Sequence, residues 1–453
     1  MAEQLSAKAF PHKSFFVDMF TRDLTLVECI LDLIDNSIDG VIRTRDLKLD
    51  QNLLTPPNDR TVPDLPTVRL DVSDKAVVIS DNCGGIPIKD AQEEVFNFGH
   101  SPEFSSKKRK DSLGVYGVGL KRALFKIGKA FEVTSRTVND GFSIKVDLDE
   151  WMHQDSMQDW TFPLVRGEKA KSRQSAGTTI KITRLREDVR AAINDGTFRS
   201  RLFNEVGRVY ALFLERYVCV QLGLETIKPM QFPLGSSDEV TPAYKELKYD
   251  GVNVFLFASL AKRDARSQWP ADQAGWYVAC NGRLVVAHDK TELTGWGVAL
   301  PEFHGGKYRG FVGLALFTSD DPLKLPWTTR KSGLNRESMA FQQVRHQMVA
   351  VTKPILSFLN KMYPSDPPEE PKQRAIADNV RFVDVRSLHK GVQSDFDIRP
   401  KKPSPRKTTV RIVYDAERDD IEKVKKHLRR PDLSPRAVGE VTFAEYLRGN
   451  GLK

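Results

Sequence analysis

The stretch VECILDLIDNSIDG at residues 27 to 40 sets Glu28, Asp32, Asp35, Asn36 and Asp39 among apolar residues that recur at helical spacing. Acids are thereby placed on or beside a face that ought to be dry. A carboxylate held there can move a proton, and an amide or carboxylate oxygen can meet a hard cation. Three later stretches belong with it: ISDNCGGIP at 79–87, SLGVYGVGLK at 112–121 and AGTTIKI at 176–182. Taken singly, a helix with carboxylates is usually a solvated face and Asp-Asn-x-Gly-Gly is usually a turn. A GxxGxG loop before a helix occurs by chance and in unrelated nucleotide folds. The order and spacing of all four along one chain is the specific signal.

The elements that must position these residues can be read coarsely. Residues 14 to 45 predict one long helix or two, with Leu26, Ile30, Leu33, Ile34 and Ile38 as the apolar stripe. A Pro-rich interval, LLTPPNDRTVPDLP, breaks it. VRLDV and AVVIS read as a hairpin around SDK that ends in the Gly-containing loop, and AQEEVFNFG as a short helix. SPEFSSKKRKDSLGVYGVGL reads as a mobile basic loop, after which KRALFKIG resumes helical periodicity. FEVTSRT, GFSIKVDLD and GTTIKITRL predict strands, giving an α+β layer domain over residues 1–190.

A second α+β domain is expected over 195–363. It opens with the helix FRSRLFNEVGRVYALFLE and continues with strands in GVNVFLFASL, GWYVACNGRLVV and GFVGLALF. A helix at 336–362, bent at Pro354, closes it. Residues 364–407 read as a Pro- and charge-rich linker. Residues 408–453 read as a small strand-helix-helix segment with the second helix starting at Ser434. Its pattern resembles a ribbon-helix-helix unit, and a helical dimerisation or docking appendage is the plainer alternative.

Composition sets bounds on function. The 453 residues suffice for two or three domains, and 40% hydrophobic with 28% charged residues describes a soluble globular chain. No apolar run approaches the roughly 20 residues of a membrane helix. The N-terminus lacks a secretory apolar core, and Cys29, Cys83, Cys219 and Cys280 have neither metal-ligand nor disulfide-framework spacing, so a reduced, cytoplasmic setting is expected. The formal charge of +9 suits a polyanionic partner, and about five of those charges lie after residue 365. A solvated basic tail without a partner is the plain alternative.

In order and spacing, DLIDNSIDG, ISDNCGGIP, SLGVYGVGLK and AGTTIKI resemble the motifs of the GHKL superfamily of ATPases: gyrase B, MutL, the chaperones of that fold, histidine kinases and MORC proteins. The motif resemblance covers residues 14 to 185, and the following region resembles a transducer domain. LGVYGVGLKRAL is closest in wording to MORC-like proteins. The resemblance implies a Bergerat-type α/β sandwich that binds ATP with Mg²⁺. MORC-like and MutL-like ATPases occur in bacterial genome defence against viruses, a role that no residue here specifies.

Carried over residue by residue, the resemblance gives Asn36 as the Mg²⁺ ligand. Asp32 takes the place where the superfamily usually has a Glu that activates water. An Asp is one methylene shorter, so its carboxylate falls about 1–1.5 Å short and turnover is expected to be slow. Glu28, a turn earlier, is the alternative base, or else polarises Asp32 through a shared proton. Asp35 and Asp39 are expected to point elsewhere on the helix; Asp39 matches a motif acid near the nucleotide, with a cap or surface role the alternative. Asp81 is expected to accept from the adenine amine, with Cys83 in place of the motif's first Gly, Gly84 restoring backbone freedom and Gly85 admitting the base. Thr178 is placed to reach the same adenine edge. Gly114, Gly117 and Gly119 would turn N–H groups toward the triphosphate, and Lys121 would neutralise it.

From the second domain, KLPWTTRKSGLN is expected to present Lys331, or else Arg330, to the γ-phosphate. ATP binding would then pull the two domains together and hydrolysis release them. The expected activity is an ATPase switch that forms a homodimer when loaded and acts on DNA or a protein partner. A nucleotide-dependent binding module with little turnover is the alternative. A histidine kinase is disfavoured because the acidic helix lies about 30 residues from the start, a MutL protein because the C-terminal segment is short, and a client chaperone for the same reason.

Overall fold

In the computed structural model the described residues are 12–55, 65–99, 111–115, 117–153, 160–303, 305–363, 370–388, 392–399 and 412–452. The basic run at 105–110, Tyr116 and residues 408–411 lie outside them. The chain divides into two compact units, Met1–Pro400 and Lys401–Lys453.

The acidic stretch is one helix, Leu26–Arg45, preceded by a separate helix, Lys13–Thr21. Its start is fixed by a capping box: Thr25 Oγ1 accepts from the Glu28 N–H, and Glu28 Oε2 accepts from the Thr25 N–H. Its end falls at Asp46, whose φ of 48° is left-handed, with Arg43 and Arg45 in the last turn facing the negative end of the helix dipole. Ile30, Leu33, Ile34, Ile38 and Val41 are buried and pack against helix Gly119–Ile127 and the sheet.

Among the described residues that sheet has eight strands. The order is Leu164–Gly167, Gly141–Asp147, Gly128–Arg136, Gly177–Leu185, Ala76–Asp81, Thr67–Val72, Cys219–Leu222 and Glu225–Thr226. All neighbours are antiparallel except Thr67–Val72 with Cys219–Leu222, which is parallel. The first sheet therefore recruits two strands from beyond residue 195. Helix Phe198–Val209, shorter than the expected run to Glu215, lies between the two contributions.

A second sheet orders Ala243–Tyr249, Val252–Leu260, Phe311–Thr318, Gly275–Cys280 and Arg283–Asp289. Phe311–Thr318 is buried at every position, as its unbroken apolar pattern requires. The turn between the last two strands is Asn281–Gly282, with φ of 47° and 82°, the two left-handed residues of a tight hairpin. Helix Met339–Met362 covers this sheet and runs continuously through Pro354.

Residues 370–388 and 392–399 are not a linker. Helix Pro371–Asp378 is anchored by an Arg263–Asp378 ion pair at 3.0 Å. Arg381–Phe382 pairs with Gly235–Ser236, and Asp397–Ile398 with Val240–Thr241. The apolar residues Ile376, Val380 and Val385 draw the segment back onto the core in spite of its Pro and charge. In the second unit, helices Arg418–His427 and Pro435–Gly449 form as expected, with Ser434 as N-cap. The expected strand does not form in its described part: Ile412, Val413 and Tyr414 are exposed and irregular, and among the described residues no strand pairs with them.

Candidate functional site

A cavity of about 400 Å³ opens among the acidic helix, the end of strand Ala76–Asp81, the glycine loop and the loop carrying Lys331. Asp32, Asn36, Asp81, Gly85, Gly114, Gly117, Gly119, Lys121, Thr178 and Lys331 all reach its wall, so the four separate motifs and the second region converge on one space. Its size is that of an ordinary small-molecule or cofactor site. Glu28 and Asp35 are not in that wall.

Asp81 forms the deep end. Its Oδ2 accepts from Ser37 Oγ at 2.9 Å, and its Oδ1 from the N–H groups of Cys83 at 2.8 Å and Thr178 at 3.3 Å. Burial raises its pKa, and these donors partly offset that. The carboxylate is thus oriented with nearby donors on both oxygens, at the position expected to meet an amine. The loop can sit this close only because of its glycines: Gly85 has φ of 70°, and a Cβ there would lie 2.3 Å from the Arg136 carbonyl. A Cβ on Gly177 would lie 1.8 Å from the Asp81 carbonyl. The Thr178 hydroxyl pairs with Ser135 Oγ at 2.9 Å, and Ser135 also accepts from the Ile86 N–H at 2.7 Å. Ser37 and Ser135 were missed by the sequence reading, since a lone Ser carries no signal.

The glycine loop is tied to the acidic helix. Asp39 Oδ1 accepts from the Leu113 N–H at 2.6 Å and Oδ2 from the Gly114 N–H at 2.8 Å. The Gly114 N–H therefore serves Asp39, not the triphosphate as expected, and Asp39 acts as the loop's anchor. Burial pushes the Asp39 carboxyl up to about 6. Gly117, with φ of 63°, makes the turn into the following helix. A Cβ on Gly119 would lie 3.2 Å from the Asp32 carboxyl carbon, so this glycine admits the acid to the start of the helix.

Lys121 departs from expectation. Its ammonium is buried, donating to the carbonyls of Val95, at 2.8 Å, and Gly117. It stitches the loop to the turn before it, and burial lowers it to about 7. Helical geometry explains this: two residues into the helix, its side chain lines the cavity wall but turns its ammonium back along the loop.

Asp32 and Asn36 lie one turn apart. Asn36 is exposed to the cavity, and its Nδ2 donates to the Asp32 carbonyl at 3.0 Å, so Oδ1 remains the amide's acceptor for a cation. The Asp32 carboxyl is raised by burial, against the lowering effect of Lys331. Glu28, the alternative base, is bound to Thr25 in the capping box and stands outside the cavity. The Thr25-x-x-Glu28 spacing was the signal that identifies it.

Lys331 arrives from the second region on a tight loop, and its Nζ lies 2.7 Å from Asp35 Oδ2. Asp35 is 1% exposed, and its Oδ1 meets Arg283 and, at 2.7 Å, the Tyr210 hydroxyl. Burial alone would raise Asp35; Arg283 and Lys331 overcome that and hold it below its ordinary value. The acid expected to point elsewhere is thus the hub of a buried charge cluster between the two regions. Arg330, the runner-up, pairs instead with exposed Asp23 at 3.1 Å.

Residues 24–178 match the family model described as histidine kinase-, DNA gyrase B-, and HSP90-like ATPase. No curated protein matches the chain. The matched span contains the acidic helix, the Asp81 loop and the glycine loop, and it ends at Thr178. With the site residues gathered around one cavity on a mixed α/β sheet, the chain carries an ATP-binding domain of the GHKL ATPase superfamily.

Proposed function

We propose that the protein binds ATP with Mg²⁺ in this cavity, hydrolyses it slowly, and uses the terminal phosphate to hold the second α+β region, which we read as a transducer, against the first. The observation that carries this reading is Lys331, a cation from the second region set, with Thr329 of the same loop, in the wall of a cavity whose other lining residues come from the first. Asp81 and Thr178 read the adenine edge. Asn36 Oδ1 holds the cation, whose contribution is to neutralise charge on the phosphates. Asp32 takes the proton of the attacking water, its burial-raised carboxyl being a better base than an exposed one. Lys331 meets the charge of the terminal phosphate.

On this reading the loaded protein dimerises and acts as a clamp on DNA or a DNA-associated partner, in the manner of MORC-like and MutL-like ATPases. The basic C-terminal unit supports DNA over a purely proteinaceous partner. The reading as a nucleotide-dependent binding module with little turnover is favoured by one feature: the shorter Asp32 stands alone, Glu28 being engaged in the helix cap. Steady-state ATP hydrolysis, with mass measurement by light scattering with and without a non-hydrolysable ATP analogue, separates the two. Turnover lost in Asp32→Ala and a doubled mass with the analogue are expected. Tight binding with no wild-type turnover above background would leave only the binding module.

A further inference from the structure

We propose that Asp35 is a positioning residue: backed by Arg283 and Tyr210, it fixes the Lys331 ammonium at the cavity wall so that Lys331 meets the terminal phosphate without leaving the carboxylate. This rests on the reading of Lys331 given above.

Four observations carry it. Asp35 is buried just behind the cavity wall and bonds three groups from the second region: Lys331, Arg283 and Tyr210. One carboxylate therefore faces two cations, and of those two only Lys331 reaches the cavity. An ammonium has three donors; a single one directed at Asp35 Oδ2 leaves two for a phosphate. Lys331 also holds a left-handed backbone, φ 53°, closed by its N–H to the Thr328 carbonyl at 2.8 Å and by the Thr328 N–H to the Gly333 carbonyl at 3.0 Å. A non-glycine residue keeps that conformation only where its surroundings impose it, and such sites cluster at function.

The rear of the cluster is tied in by further hydrogen bonds. Arg283 follows the Asn281–Gly282 turn, whose two left-handed residues set its register. Arg283 also lies 2.9 Å from the Tyr210 hydroxyl, which is 2.7 Å from the Leu31 carbonyl on the acidic helix. The neighbouring Asn281 donates to the carbonyls of Ser319, at 3.2 Å, and Ser112, at 3.3 Å, at the base of the glycine loop. Asp35 thus keeps Arg283 as a fixed partner while Lys331 turns its free donors outward. The opposite role, in which Asp35 competes with phosphate for Lys331, predicts an effect of the opposite sign.

The test is the ratio of affinities for AMPPNP and ADP, measured with Mg²⁺ by calorimetry on the full chain; ADP affinity and far-UV circular dichroism report on the fold. Wild type is expected to prefer AMPPNP, and Lys331→Met to remove the preference. Asp35→Asn is expected to reduce it about tenfold, the scale of one charge-assisted contact, and to add nothing in the Lys331→Met background. Tyr210→Phe, which keeps the ring, should reduce it by a smaller factor and serves in place of Asp35→Asn should that variant fail to fold. A preference that survives Lys331→Met overturns the Lys331 reading itself. A preference lost in Lys331→Met but unchanged or increased in Asp35→Asn, or in Tyr210→Phe where that variant stands in, overturns the role of Asp35 alone.

Discussion

Two acids on one helix, Glu28 and Asp39, have separate tasks, set by what each carboxylate touches. Glu28 closes the capping box, so Glu28→Ala is expected to lower unfolding stability by about 1 kcal/mol and to leave ATP turnover within about twofold; a turnover loss matching that of Asp32→Ala would make Glu28 the base after all. Asp39 anchors the glycine loop from a buried position, and its carboxyl is raised to about 6. A raised acid favours the fold most when protonated: its contribution is whole at low pH and is lost as pH rises through about 6. Asp39→Asn cannot titrate. The stability difference between variant and wild type is therefore expected to shift toward the variant by up to about 3 kcal/mol between pH 4 and pH 7, read from urea midpoints. A flat difference would mean that Asp39 titrates normally.

At the scale of elements, close backbone approach controls the deep end of the cavity. Strand Gly177–Leu185 starts against the Asp81 carbonyl, where a Cβ would lie 1.8 Å away. Gly177→Ala is expected to push the strand from Asp81, lowering stability by about 1–3 kcal/mol and weakening ADP and AMPPNP alike, as fluorescence titration would record. Equal wild-type affinities would show that the loop adjusts elsewhere. The helix, the hairpin, the glycine loop and the strand after it were readable in the sequence because local periodicity and Gly placement specify them. The parallel pairing of Cys219–Leu222 with Thr67–Val72 was not, since it joins residues about 150 apart. The partners of Asp35 were hidden likewise: Tyr210 and Arg283 lie 175 and 248 residues away. The placement of the Lys121 ammonium has a local cause, its side chain turning back toward two carbonyls.

For the whole molecule, the question is what the second unit adds. Residues 401–453 hold 14 Lys and Arg against 8 Asp and Glu, so they carry +6 of the chain's formal +9. The unit's described residues bury few apolar side chains, chiefly Leu433 between the two helices and Val438 on the second, while Phe443 and Tyr446 are exposed. So little core argues that the unit works through its surface. The sheets and the Asp35 cluster belong to the first unit. A chain ending at residue 400 is therefore expected to keep its unfolding midpoint and its ADP affinity. If the unit serves DNA, the full chain should bind duplex DNA with an affinity that falls on the order of 10²-fold between 50 and 200 mM salt, as about four released counterions require. The shortened chain should lose most of both the affinity and the slope. Equal binding by both chains would move the DNA contact to the first unit, and salt-independent binding would remove DNA as the polyanion that this charge serves.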